Sequence, residues 1–201
     1  HDRDGFLEVR MRKVPAARVF EVVQAARQVF DTDAPVNDIA EGLRGDPRLA
    51  ELLAVQPGVR VPGTFDGFEL AVRAILGQQI SVRAATTIAG RIAVRYGAPL
   101  DLPDGALTHL FPVPEQLRRA RFNNIGLVRS RADTLRRLAA AVAAGDVSFD
   151  PLQDLDAFHA SLTAIKGIGD WTAQYVMMRA LKHPDAFPAA DLGLMKGLER
   201  G

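Results

Sequence analysis

Apolar and charged residues alternate at the start of the chain, Leu7, Val9 and Met11 against Glu8, Arg10 and Arg12, so the spacing predicts a half-buried strand over Phe6 to Arg12. From there the period changes to that of helices. Val19, Val22, Val23, Ala26 and Phe30 share one helical face, followed by Ile39 with Leu43 and by Leu49, Leu52 and Leu53. Breaks fall where Gly and Pro cluster, at 31–35, 45–47 and 56–63. Asp66 with Glu69 three residues on resembles a capping box and opens a helix through Phe68, Val72, Ile75 and Leu76. Ser81 can cap the next helix, which runs to Tyr96 and stops at Gly97. A Pro-rich connector is expected from Pro99 to Pro114, then a short helix, a long one from Val128 to Ala144 ending at Gly145, and two more after Asp154. The pattern predicts an all-helical body over 14–201 and one strand at its front edge, over 1–13. A lone strand needs partners, which are expected in sequence ahead of His1. A first residue other than Met fits an excerpt of a longer product.

The 201 residues, 48% of them apolar, can build one large or two small domains with a sizeable core. Formal charge is +1, so no global basic field points to a nucleic-acid partner. A local one exists. Arg118, Arg119, Arg121, Arg129, Arg131, Arg136 and Arg137 face only Asp133 across that stretch. Cysteine is absent, which excludes disulfides, thiolate metal sites, cysteine nucleophiles and cysteine-ligated iron–sulfur clusters within these residues. His1, His109, His159 and His183 lack metal-ligand spacing. No apolar run reaches membrane-spanning length and no signal-peptide pattern is visible, so a soluble cytoplasmic protein without membrane contact is expected.

The stretch Leu162-Thr163-Ala164-Ile165-Lys166-Gly167-Ile168-Gly169-Asp170-Trp171-Thr172-Ala173 reads as helix, turn and helix. Gly167 and Gly169 let the turn adopt positive φ and present consecutive backbone N–H groups, while Ile168 plugs the turn into the core. Such N–H groups at a helix start form a phosphate site. A tight turn between two packed helices has much the same sequence, so G-I-G by itself decides little.

Four blocks together decide more. They are 68–82 (FELAVRAILGQQISV), Gly126-Leu127 with Arg131-Ala132, 167–175 (GIGDWTAQY), and 187–194 (FPAADLGL). In this order they resemble the helix-hairpin-helix DNA glycosylases whose motif ends in a Gly/Pro-rich loop and an aspartate, and in particular the alkylated-base branch of 3-methyladenine DNA glycosylase II, or AlkA type. The resemblance implies a mainly α fold, a glycosylase core of two helical subdomains with a remnant of an N-terminal β domain. It also implies a monofunctional enzyme that flips an alkylated base from duplex DNA and hydrolyses its N-glycosidic bond to begin base excision repair, acting as a monomer and needing no cofactor.

Residue by residue, the resemblance assigns Asp191 as the catalytic carboxylate, suited to stabilising positive charge on the deoxyribose. Trp171 and Tyr175, one helical turn apart, would form the aromatic side of the base pocket. Gln78, Gln79 and Ile80 would form the loop that fills the gap left by a flipped base, with Gln79 or Ile80 as the wedge. Gly167 and Gly169 would bind phosphate, with Thr172 adding a contact, and the carbonyls of Thr163, Ile165 and Ile168 would be able to hold a structural monovalent cation. Relatives that also cut the strand carry a lysine where Trp171 stands, so no strand cleavage is expected. Two departures stand out: Lys166 replaces the proline frequent before the first glycine, and the sequence stops ten residues past Asp191 where the family continues through further helices. This branch is sometimes fused to a methyl-transferring regulatory protein. A non-catalytic helix-hairpin-helix DNA-binding module is the second reading of the same motif, and a helical protein-interaction domain the third.

Overall fold

The computed structural model describes residues 6–199 and divides the chain into two compact units, 1–65 and 66–201. The division falls between Phe65 and Asp66, well beyond residue 13, where the sequence was divided. The strand expected over Phe6 to Arg12 is absent, and those residues run without regular structure. A period-2 pattern becomes a strand only when another backbone satisfies its N–H and C=O groups, and no other described segment pairs with this one.

The first unit holds α1 (Val19–Phe30), α2 (Val36–Leu43) and α3 (Pro47–Val55). α1 ends at Asp31 in the left-handed region, φ 52°. Asp46 caps α3, its carboxylate accepting from the N–H groups of Arg48 and Leu49, with Pro47 in the first turn where its missing N–H costs nothing. Arg60 donates to the carbonyls of Asp31 and Ala34, and Gly63 donates to the Val29 carbonyl at 2.8 Å. The segment following α3 is thereby tied back to the end of α1.

The second unit is organised around α4 (Gly67–Gly77), which buries Phe68, Leu70, Ala71, Val72, Ala74, Ile75 and Leu76 and packs against α5 (Val82–Tyr96), α7 (Arg129–Ala144) and α9 (Asp170–Ala180). A helix apolar on nearly every side belongs in the middle of a bundle, and here it sits there. Asp66 caps it by accepting from the Glu69 N–H at 2.6 Å, and Ser81 caps α5 through the Ala84 N–H. α7 stops as its sequence predicts, at Gly145 with φ 83°. α6 (Pro114–Leu117) precedes α7, and α8 (Leu155–Thr163) leads into the turn before α9. A last helix, α10 (Leu192–Glu199), follows a loop. No described helix is long and apolar enough to cross a membrane.

The expected connector between Pro99 and Pro114 contains an antiparallel hairpin, β1 (Pro99–Asp104) and β2 (Leu107–His109), turning at Gly105 with φ 57°. Its prolines masked it. A two-stranded ribbon leaves an unpaired edge on each strand, where a residue without an N–H is tolerated. Gly97 marks its entry: a Cβ there would lie 1.9 Å from the Leu110 carbonyl oxygen.

Candidate nucleic-acid interface and active site

The turn from α8 into α9 is fixed from behind by α7. Gly167 has φ +100°, and an added Cβ would stand 2.1 Å from the hydroxyl of Thr134. That hydroxyl, 4% exposed as a residue, donates to the Lys166 carbonyl at 3.0 Å. Ile168 is buried, plugging the turn into the core as its position predicts, and its N–H donates to the Ile165 carbonyl at 2.9 Å. Gly169 is the N-cap of α9 and has open space where a Cβ would be. Among the described residues the N–H groups of Gly167 and Gly169 have no partner, and both glycines are exposed. The turn thus presents two backbone donors at a helix start, which suits an anion. Asp170, next along, has its carboxylate held by His159 at 2.8 Å.

Thr172 does not reach outward. It is 2% exposed, and its hydroxyl accepts from the side-chain amide of Gln78 at 2.9 Å, so it braces the turn from inside instead of adding a phosphate contact. The same amide donates to the Gly167 carbonyl at 3.2 Å. Gln78 therefore belongs to the hairpin's support, and its own carbonyl accepts from Arg131 of α7. The three residues of the α4–α5 loop accordingly do different things. Gln78 is turned inward, Ile80 packs on the core, and Gln79 is exposed in the left-handed region with φ 60°. Of the three, only Gln79 is exposed.

Trp171 and Tyr175 share a face of α9, as their spacing predicts, and their rings stack with centroids 5.4 Å apart and 15° between planes. Arg179, one further turn along, donates to the Tyr175 hydroxyl at 2.9 Å and lies 5.5 Å from its ring centroid. The two rings form one stack closed at its far end by a cation, not two opposing walls. Tyr175 thus covers one face of the Trp171 indole.

Asp191 sits at the start of α10. Its Oδ1 accepts from the N–H groups of Gly193 at 2.8 Å and Leu194 at 3.2 Å, so it caps the helix, and its Oδ2 accepts from the indole N–H of Trp171 at 3.0 Å. Burial pushes the carboxyl's pKa upward, but hydrogen bonds from Leu194, Trp171 and Gly193 outweigh it and hold the group below its ordinary value. The loop leading to it is ordered by Gln174, whose side chain accepts from the Phe187 N–H at 3.2 Å, and by a turn in which the Asp191 N–H donates to the Pro188 carbonyl. The result is an ionised carboxylate fixed beside an aromatic stack on the helix that begins at the hairpin.

Of the seven arginines from Arg118 to Arg137, five are exposed. Arg131 and Arg136 are structural, the latter paired with Asp133, donating to the Ala120 carbonyl and lying over Phe122. Thr134 and Gln174 carry parts of the site that the sequence reading passed over. For Thr134 a signal existed: it is a polar residue on the apolar face defined by Ala132, Leu135, Leu138 and Ala139. Among the described residues no group of three or more His, Cys, Asp or Glu side chains could hold a metal ion. The Ile165 carbonyl, one of the three expected cation ligands, already accepts from Ile168 with one lone pair.

A helical bundle that aims a glycine turn outward and fixes a carboxylate beside aromatic rings defines a class of helical base-excision protein. The chain belongs to the HhH-GPD superfamily of base excision DNA repair proteins, whose family model matches residues 72–201, while that of the AlkA N-terminal domain matches 1–66. It is 42% identical over 168 residues, 84% of this chain and 34% of the relative, to the "Probable bifunctional transcriptional activator/DNA repair enzyme AlkA" of Mycobacterium tuberculosis. It is 37% identical over 142 residues to DNA-3-methyladenine glycosylase 2 of Escherichia coli, covering 69% of this chain and 50% of that protein. The chain thus spans a third of the first of these relatives and half of the second. The solved 3-methyladenine DNA-glycosylase from Archaeoglobus fulgidus superposes with a TM-score of 0.75 at 26% identity, over 94% of this chain and 64% of that one.

Proposed function

We propose that the chain is the catalytic part of a monofunctional DNA glycosylase that binds duplex DNA as a monomer in the cytoplasm, flips out an alkylated base of the 3-methyladenine class, and hydrolyses its N-glycosidic bond. The observation that carries this is the Asp191 carboxylate, ionised and held on one oxygen by the Trp171 indole and on the other by two N–H groups of α10. A non-catalytic DNA-binding module needs no such group. The names of the relatives support the same chemistry.

Phosphate on one side of the lesion would lie on the N–H groups of Gly167 and Gly169. Gln79 would enter the gap in the duplex, and the base would stack on the outer face of Trp171. Ring-nitrogen alkylation leaves the base cationic and its bond to C1′ weak. As that bond breaks, its electron pair goes to the base, which departs neutral, and positive charge appears on the sugar. The Asp191 carboxylate stabilises that charge, water adds to C1′ and gives up a proton, and an abasic site with an intact backbone remains. The carbonyls of Thr163, Ile165 and Ile168 are suited to a monovalent cation that would stiffen the hairpin, and no chemical step passes through it.

The test is release of free modified base from methylated duplex DNA. Asp191→Asn should lower excision by about a hundredfold or more, roughly 3 kcal/mol of lost stabilisation, while lesion binding persists. Unchanged excision would remove Asp191 from the mechanism.

A further inference from the structure

The contact between Trp171 and Asp191 assigns the tryptophan a task that base stacking does not include. We infer that Trp171 is a positioning residue for the Asp191 carboxylate, orienting it through the indole N–H. This rests on Asp191 being the reacting carboxylate.

Three observations carry the inference. The indole Nε1 lies 3.0 Å from Oδ2, while the other oxygen is taken by Gly193 and Leu194, so both oxygens are held and the carboxylate plane is fixed. The indole is itself locked against Tyr175, and Tyr175 is in turn engaged by Arg179. Residues 171, 175 and 179 thus form one rigid ladder down α9, ending on the carboxylate. The groups facing Asp191 are the indole from α9 and the N–H groups of α10. Among the described residues no charged side chain pairs with it, and the cation of the ladder, Arg179, is spent on Tyr175. The carboxylate's charge is therefore maintained by neutral donors, of which the indole is the only side chain.

A neutral donor also suits the chemistry. A lysine or arginine in the same place would hold the carboxylate more strongly but would set a cation beside a departing cationic base and a cationic sugar. The indole N–H supports the anion, and its π-face remains attractive to a positive ring. One side chain can therefore orient the carboxylate with its edge and receive the base with its face.

Trp171→Phe removes the N–H and keeps a ring on Tyr175, and Trp171→Leu removes both. Trp171→Phe should lower the single-turnover excision rate by about tenfold, with affinity for abasic-site DNA unchanged. Its acid limb should move to higher pH, because a carboxylate that loses a donor takes up its proton more readily. The indole can also be read without mutating it, since Trp171 is the single tryptophan of the 201 residues. Its N–H resonance should shift as Asp191 is protonated below the ordinary carboxylate range, and Asp191→Asn should abolish that titration. If Trp171→Phe matches the unsubstituted protein in rate and acid limb while Asp191→Asn is inactive, the positioning role is overturned and Trp171 only stacks. An indole signal indifferent to Asp191→Asn overturns it equally, even should Trp171→Phe fail to fold. A fully active Asp191→Asn would instead refute the glycosylase mechanism itself.

Discussion

Thr134 stands where a side chain at Gly167 would have to go: a Cβ added there would meet the threonine hydroxyl at 2.1 Å, and that hydroxyl donates to the Lys166 carbonyl. The hairpin turn is thus cast against α7, and its glycine is required both by φ and by space. Gly167→Ala should cost about 1–3 kcal/mol and loosen the turn, lowering affinity for undamaged duplex along with stability. Gly169→Ala, with extended backbone and open space around it, should leave thermal unfolding unchanged. Thermal unfolding and duplex binding on both variants check this, and equal destabilisation by the two would contradict it.

The α4–α5 loop separates support from function between adjacent glutamines. Gln78 donates to Thr172 and to the Gly167 carbonyl, so Gln78→Ala should lower stability by about 1 kcal/mol. Gln79 is exposed with φ 60°, a conformation glycine takes at no steric cost, so Gln79→Gly should match or exceed the parent protein in stability while excision from duplex falls. Urea unfolding beside excision from paired and single-stranded lesions makes the comparison. A stable Gln79→Gly variant with full duplex activity would mean that nothing from this position enters the DNA.

The contrast shows what was legible in the sequence. Helical spacing, caps at Asp66 and Ser81, and stops at Gly97 and Gly145 are local signals, and α4, α5, α7, α8 and α9 follow from them. Asp191 and its neighbours were found by resemblance, and their stacking and hydrogen bonding add geometry that no spacing encodes. The Thr134–Gly167 and Gln78–Thr172 contacts join residues 33 and 94 positions apart, and nothing local marks them. The hairpin Pro99–His109 was obscured by prolines whose meaning depends on which edge of a ribbon they occupy. At Phe6 to Arg12 the local pattern is clear and still does not form a strand, because among the described residues no segment supplies a partner backbone.

Cleavage is expected to end at the abasic site. By the resemblance, Trp171 stands where strand-cutting relatives carry a lysine, and an indole nitrogen, being part of an aromatic ring and not a primary amine, cannot form an imine with the sugar. Borohydride added during turnover should trap no covalent protein–DNA adduct, and the product strand should break only after alkali. A trapped adduct would call for another amine, with Lys166, exposed beside the turn, the first to substitute.

Substrate choice should follow charge more than shape. With Tyr175 against one face of the indole and Arg179 at the far end of the stack, the proposed base would lie on the other indole face. A cation gains about 0.5–2 kcal/mol on such a face, and a charged base also leaves more readily. 3-Methyladenine and 7-methylguanine should be released, and oxidised or undamaged bases poorly. Loss of the indole's hold on Asp191 would slow every substrate alike, whereas loss of the π-face should slow cationic ones more. Trp171→Leu should therefore lower the ratio of methylated-purine to hypoxanthine excision by roughly 2- to 30-fold, and Trp171→Phe should keep most of that ratio while losing rate on both. Single-turnover rates on the two substrates measure the ratio directly. An unchanged ratio in Trp171→Leu would mean that the base does not lie on this ring.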